Sequence, residues 1–257
     1  MLSFTPSKAW VYLVEIAVIV LGILIAFQVE EFRDRRIEAR ELAAALERLA
    51  EETGHNRETC DYSLPLLEDS ATSVRHVYES LVRNAIVADD RQRFERGLVV
   101  FSVVPDIRMQ TTVAQEMIAT GLLKELDDPA LRQQLPNLIT LDQQAHEQLV
   151  YFREGIISLQ NRIMTLADYR FAGDIPSLDA LVDGPWLEDA MRVDYDLDHL
   201  AADRLLVNLF FEAVDIHADT WLGLEERCRV IAAIEERLAG TWAAASTGPV
   251  APSAANN

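Results

Sequence analysis

The chain has 257 residues, with 23 Lys plus Arg against 42 Asp plus Glu and a formal charge of -19. Half of the residues are hydrophobic and a quarter are charged, which excludes wholesale disorder and leaves enough length for one or two domains. An acidic surface repels phosphate backbones and no basic stripe offsets it, so no nucleic-acid partner is expected.

Residues 1–8 form a short N-terminal tail. Residues 9–27 read A-W-V-Y-L-V-E-I-A-V-I-V-L-G-I-L-I-A-F, with Glu15 as the lone carboxylate. As a helix this run covers roughly 28 Å, close to the hydrocarbon thickness of a bilayer. Trp10 and Tyr12 at its start and Phe32 beyond its end suit the two interfaces. A cleaved signal peptide fits less well. Lys8 is its only basic flank, Glu15 interrupts the apolar run, and Ala26, Phe27 and Gln28 make no small-residue cleavage site. The expectation is an uncleaved transmembrane helix over 9–28, with the lipid bilayer as its partner.

An ionised Glu15 inside that span costs roughly 2.5–3.5 kcal/mol, so it must be neutralised, paired or able to reach the nearer headgroups. A polar contact to another helix is its functional reading, and a side chain that merely reaches the interface is the plain one. Gly22 and Ala26 are spaced as a small-x-x-x-small pair, which lets two helices approach but is also frequent by chance.

The run E-I-A-V-I-V-L-G-I-L-I-A-F-Q resembles the anchor of an uncharacterised bacterial family of single-pass membrane proteins. The matching residues are Glu15, Ile16, Gly22, Ile23, Leu24, Ile25, Ala26 and Gln28. Members of that family usually continue with Asn-Asn-Trp, where this chain has Glu30, Glu31 and Phe32. A second stretch, T-V-A-Q-E-M-I-A-T-G-L-L-K-E-L-D-D-P-A-L-R-Q-Q-L, resembles the family's middle motif. The resemblance implies a helical domain of unknown function anchored in a bacterial inner membrane, and it brings no catalytic residue.

Beyond the anchor, a stalk helix is expected over 29–55, with Leu42, Leu46 and Leu49 on one face and Gly54 as its stop. A second helix should span 64–83, with Pro65 tolerated in its first turn. Asp89 or Asp90 can cap a third, ending near residue 99. The β-branched stretch 98–104 reads as a buried helix end and connector, because a lone strand has no partner. Thr111 or Thr112 caps the next helix, which stops at Gly121. Asp128 and Pro129 then open a long helix reaching toward Tyr169, kinked or divided at Pro136.

A turn at 173–177 breaks that helix off, and a final helical region runs from 183–185 to Leu238, with Gly240 as its C-cap. Leu205, Leu206, Leu209, Phe210, Ala213, Val214 and Ile216 give it a wide apolar face. The two long helices should pack antiparallel. The fold expected is therefore all-α: one N-terminal transmembrane helix continuing into an elongated helical bundle over 56–240, followed by a disordered tail over 241–257.

Chemistry-bearing motifs are sparse. The five histidines are His55, His76, His146, His199 and His217. A di-metal carboxylate bundle needs Glu-x-x-His on two helices and two further carboxylates. Glu52 with His55 sits near an expected helix end, and His76 with Glu79 is reversed, so neither fits. No metal, cofactor or catalytic residue is assigned. No Gly-x-Ser-x-Gly elbow or phosphate-cradling Gly-x-x-x-x-Gly-Lys occurs. Arg108 and Arg132 flank the middle motif and can order the chain by pairing with carboxylates.

Cys60 and Cys228 are too few for a disulfide scaffold and form no C-x-x-C metal pattern. They would meet if the second and last helices pack together. A bridge would need an oxidising compartment, and two small core residues are the alternative.

Membrane orientation stays open. Arg33, Arg35, Arg36 and Arg40 after the span favour a cytoplasmic domain, whereas members of the resembled family often carry a more basic N-terminus, which implies an outward one. The functional expectation is a non-enzymatic, membrane-anchored interaction or scaffolding module, with a homo-oligomer or another protein as its partner. A tethered sensor or accessory subunit that binds a small ligand or cation is the alternative, and a metal-dependent enzyme ranks last.

Overall fold

Helix α1 (Pro6–Arg83) runs for 78 residues without a break, roughly 117 Å at 1.5 Å per residue. The computed structural model describes residues 6–171 and 191–246, with side chains over 15–171 and 191–240. The chain is mostly helical, as expected. The separate stalk and second helix are not seen, because α1 passes through both Gly54 and Pro65. Gly54 faces open space, and glycine costs only about 1 kcal/mol in a helix. Pro65 is exposed, so the carbonyl four residues back that loses its donor can be hydrated. Packing on both sides carries the helix across these two weak points. It ends where Asn84 adopts φ 50°, a left-handed conformation that asparagine tolerates better than most residues.

Along α1 the surroundings change. Val18, Ile19, Val20 and Leu21 are between 49% and 63% exposed. At 100° per residue, these four positions circle the helix. Large apolar side chains remain exposed as far as Ile37, and among the described residues the first fully buried one is Ala45. Among the described residues no helix is long and apolar enough to cross a membrane. The described side chains begin at Glu15, inside the apolar run 9–27.

Asp90 caps α2 (Arg91–Val100) by accepting from the Arg93 amide. This helix lies close against α1 at Gly97, where an added Cβ would fall 2.4 Å from the Ser73 carbonyl oxygen. Helix α3 (Thr112–Thr120) ends at Gly121 with φ 84°, a conformation that needs glycine. A 3₁₀ turn (Leu122–Glu125) leads to α4 (Pro129–Ile163), capped by the Asp128 carboxylate on the Ala130 and Leu131 amides. Pro136 lies inside α4 and does not divide it.

Helix α4 stops at Ile163, short of Tyr169, and an unexpected antiparallel ribbon follows. Strand β1 (Ala167–Phe171) pairs with β2 (Met191–Tyr195), Ala167 opposite Tyr195 and Phe171 opposite Met191. Ala167 and Tyr169 in β1, and Met191, Val193 and Tyr195 in β2, are buried or half-buried and alternate with exposed residues, the period-two pattern of a half-buried strand. The turns expected at 173–177 and 183–185 lie outside the described residues. Asp196 caps the short α5 (Leu197–Ala202), and α6 (Arg204–Ser246) returns along α1. Helix α6 passes through Gly240 rather than ending there. The rest of the tail, 247–257, lies outside the described residues.

Helices α1, α4 and α6 enclose two cores. The stalk-side core gathers Leu49, Leu67, Met117, Leu131, Leu135, Leu224, Ile231 and Leu238. The distal core gathers Val77, Leu81, Phe94, Phe101, Phe152, Leu159, Leu206 and Phe210. Cys60 and Cys228 are joined as a disulfide in the stalk-side half, with Cα atoms 5.8 Å apart.

Candidate functional site

A buried polar cluster lies between the two cores. After α2 the chain turns, and Pro105 bars any helical continuation. The connector from Phe101 to Thr111 then crosses the bundle without regular structure. Its backbone groups cannot stay unpaired where water is excluded, and side chains from three helices take them up. From α1, Asn56 accepts from the Gln110 amide at 2.7 Å and donates to its carbonyl at 2.8 Å. Glu52 accepts from the Val113 amide at 2.9 Å, serving the N-terminus of α3 where Thr111 makes no side-chain cap.

From α4, Asp142 accepts from the Met109 amide at 2.9 Å, Arg108 Nε at 3.1 Å and Arg227 Nη1 at 3.0 Å. From α6, Arg227 also donates to the Ile107 carbonyl at 2.7 Å. Both Asp142 and Arg227 are 4% exposed. Burial lowers the Arg227 guanidinium from its usual value, while Asp142 acts to keep it charged. His217, also on α6, is bonded through Nε2 to the Phe101 carbonyl at 2.9 Å. A carbonyl can only accept, so this nitrogen must be the donor. Burial holds the His217 imidazole below its usual value.

Asp142 and Arg227 are both engaged by protein partners. Beside them, His146 Nδ1 lies 2.9 Å from Asp106 at the surface, but the nearby Thr220 hydroxyl donates back to Ile216 at 2.7 Å. The recess lined by Asp106, Phe152, Thr220 and Arg227 holds about 20 Å³, room for one water. Among the described residues no group of three or more His, Cys, Asp or Glu could hold a metal ion. Glu52 is committed to Val113, and His55 and His199 are exposed.

Glu15, Gly22, Ala26 and Gln28 all lie exposed on α1, and open space surrounds the Gly22 Cα. Arg108 does pair with a carboxylate, the buried Asp142. Arg132 instead donates to the Leu126 carbonyl at 3.1 Å. The sequence reading missed Asp142, Arg227 and Asn56, and weighed Glu52 only beside His55. A signal existed, because Asp142 falls on the apolar stripe of Leu131, Leu135 and Leu138, and Arg227 adjoins Leu224 and Cys228. A charge on a core stripe announces a buried partner.

The chain matches no protein-family model, no curated protein and no solved structure. The functional reading therefore rests on the fold and its surfaces.

Proposed function

We propose that the protein is a membrane-tethered, non-enzymatic interaction module whose bundle stands on the outer side of a bacterial inner membrane. The observation that carries this reading is the change of surroundings along one helix. α1 exposes apolar side chains on every face from Ile16 to Phe32, then becomes the spine of a packed bundle from Ala45. A helix apolar all round needs lipid or protein about it. With residues 9–14 ahead of it, this part reaches the length of a bilayer span. The resemblance of the Glu15 to Gln28 run to a single-pass anchor supports the same reading.

The Cys60–Cys228 disulfide supports the outward orientation, since such bonds persist in oxidising compartments. The module reading is also supported by a clamp whose polar groups are spent on holding the connector. Self-association through the Gly22 and Ala26 face is one form of interaction, and docking of another protein on the bundle is a second.

Two measurements test the proposal. A compartment-sensitive reporter fused after Ser246 should be active outside the cytoplasm, with both cysteines resistant to alkylation before reduction. Cytoplasmic activity with two free thiols would overturn the orientation. In-membrane crosslinking of the full chain should yield a discrete higher-mass species. A chain that stays uncrosslinked and monomeric in mild detergent would overturn the module.

A further inference from the structure

An unassigned groove lies where the bundle begins. Leu42 and Leu46 of α1, the 125–128 turn, Leu131 of α4 and Glu236, Arg237 and Gly240 of α6 enclose a groove of about 860 Å³. Its floor is apolar, formed by Leu42, Leu46, Leu126 and Leu131, and the last two belong to the stalk-side core. Its rim carries Glu125, Asp127, Asp128 and Glu236 against Arg237 alone. Asp128 is engaged, capping α4 and pairing with Arg237 at 3.4 Å. Glu125, Asp127 and Glu236 are exposed, and no ion pair among the described residues engages them.

We infer that this groove docks a basic amphipathic helix from a different protein at the membrane. An apolar floor between carboxylates is the complement of a helix whose leucine-type stripe is flanked by Lys or Arg. Two observations select this occupant. Leu42 lies ten residues beyond Phe32, roughly 15 Å along the helix, which lifts the groove clear of lipid headgroups. A parallel second copy would bring its own stalk to this level. That stalk sets Glu30, Glu31, Asp34, Glu38 and Glu41 against four arginines, on a chain of net charge -19, and so offers the carboxylates no match.

The inference deepens the module reading and rests on it. The test uses the full chain in detergent and a synthetic 14-residue Leu/Lys peptide with one apolar stripe. A scrambled peptide of equal composition is the control. The striped peptide should bind at 0.15 M salt, and the scrambled one about tenfold more weakly. Glu125→Gln, Asp127→Asn and Glu236→Gln together should weaken the striped peptide about tenfold without shifting the melting temperature, since none of the three is buried. Leu46→Asp should also weaken the striped peptide through the floor, with a lower melting temperature, because Leu46 packs partly buried against the stalk-side core.

Equal binding of both peptides, or an unchanged affinity in both variants, would overturn the groove. So would a crosslinker placed at Glu236 that captures only a second copy of this chain. A crosslinker at the exposed Tyr151 separates the two levels of the argument. Partner capture there, with no peptide binding, removes the groove and leaves the module standing, whereas failure of both removes both.

Discussion

The two cores share α1, α4 and α6 but are closed by different means. In the distal core, Phe94, Phe101, Phe152 and Phe210 supply large rings, with Phe101 and Phe210 edge to face at 5.7 Å. Among the described residues, the buried set of the stalk-side core has no aromatic ring, and Trp221 packs only partly buried against it. It is closed instead by the disulfide, and its upper boundary is the buried Asp142–Arg227 pair. Shape and area hold one end, covalent and ionic cross-ties the other. Both kinds of contact join elements distant in sequence: the rings of Phe101 and Phe210 bring the connector onto α6, and the bridge spans 168 residues.

This difference can be broken from either side. Replacing Arg227 with Ala leaves the buried Asp142 with Arg108 as its remaining cation and the Ile107 carbonyl without its donor, and should cost at most about 3–5 kcal/mol in denaturant unfolding. The Asp142→Leu, Arg227→Met double variant should recover a large part of that loss, because an apolar pair of similar volume leaves no buried charge unmatched. An equal loss in single and double variants would show that the connector bonds, not the charge pair, dominate.

Phe210→Ala in the distal core should cost about 3–5 kcal/mol, and Leu135→Ala in the stalk-side core about 2–5 kcal/mol. Hydrogen exchange should locate the first loss among α2 and α5 amides and the second among α3 amides. Matching exchange patterns would mean that the cores unfold as one. Reducing the disulfide, or replacing both cysteines with Ser, should cost about 2–5 kcal/mol. That loss should appear in the stalk-side amides and leave the distal ones protected.

The smallest effect is a pH slope. His217 titrates lower in the folded chain than in the unfolded one, so the unfolded state binds the extra proton as acid is added. Its stabilising contribution is therefore complete above the ordinary histidine value of about 6.5 and is lost as pH falls toward the depressed folded value. The slope is at most about 1.4 kcal/mol per pH unit. Asp219, raised by burial and by Asp215, acts in the opposite sense at lower pH. The difference between wild type and His217→Gln isolates the histidine, and parallel stability curves would remove it as the cause.

The sequence showed the helices wherever a local signal was strong. Asp90 before α2, Gly121 after α3 and Asp128–Pro129 before α4 all act as their chemistry suggests. It misled where tertiary packing outweighed a local breaker, as at Gly54 and Pro65, which α1 crosses because its flanks lie against α6. The ribbon was missed because Ala167–Phe171 and Met191–Tyr195 are each five residues long, too short for periodicity to outweigh adjacent helical patterns. The clamp was hidden for another reason. Asn56, Asp142 and Arg227 meet only once three helices and a connector are in place, and spacing along one helix reports none of those meetings. Cys60 and Cys228 were left open by the sequence, and the antiparallel pairing of α1 with α6 brings them together.

The unbroken α1 fixes the direction in which the bundle faces. In a chain tethered as proposed, no hinge lies between the lipid and the groove, so the helical phase at the membrane sets the compass bearing of every surface above it. One residue inserted within 29–41 would swing the bundle by roughly 100° and raise it roughly 1.5 Å. Seven inserted residues would lift it roughly 10 Å and return it to nearly the same bearing. A partner held in the same membrane would thus meet or miss the groove according to the count of residues in the stalk, with no contact residue altered.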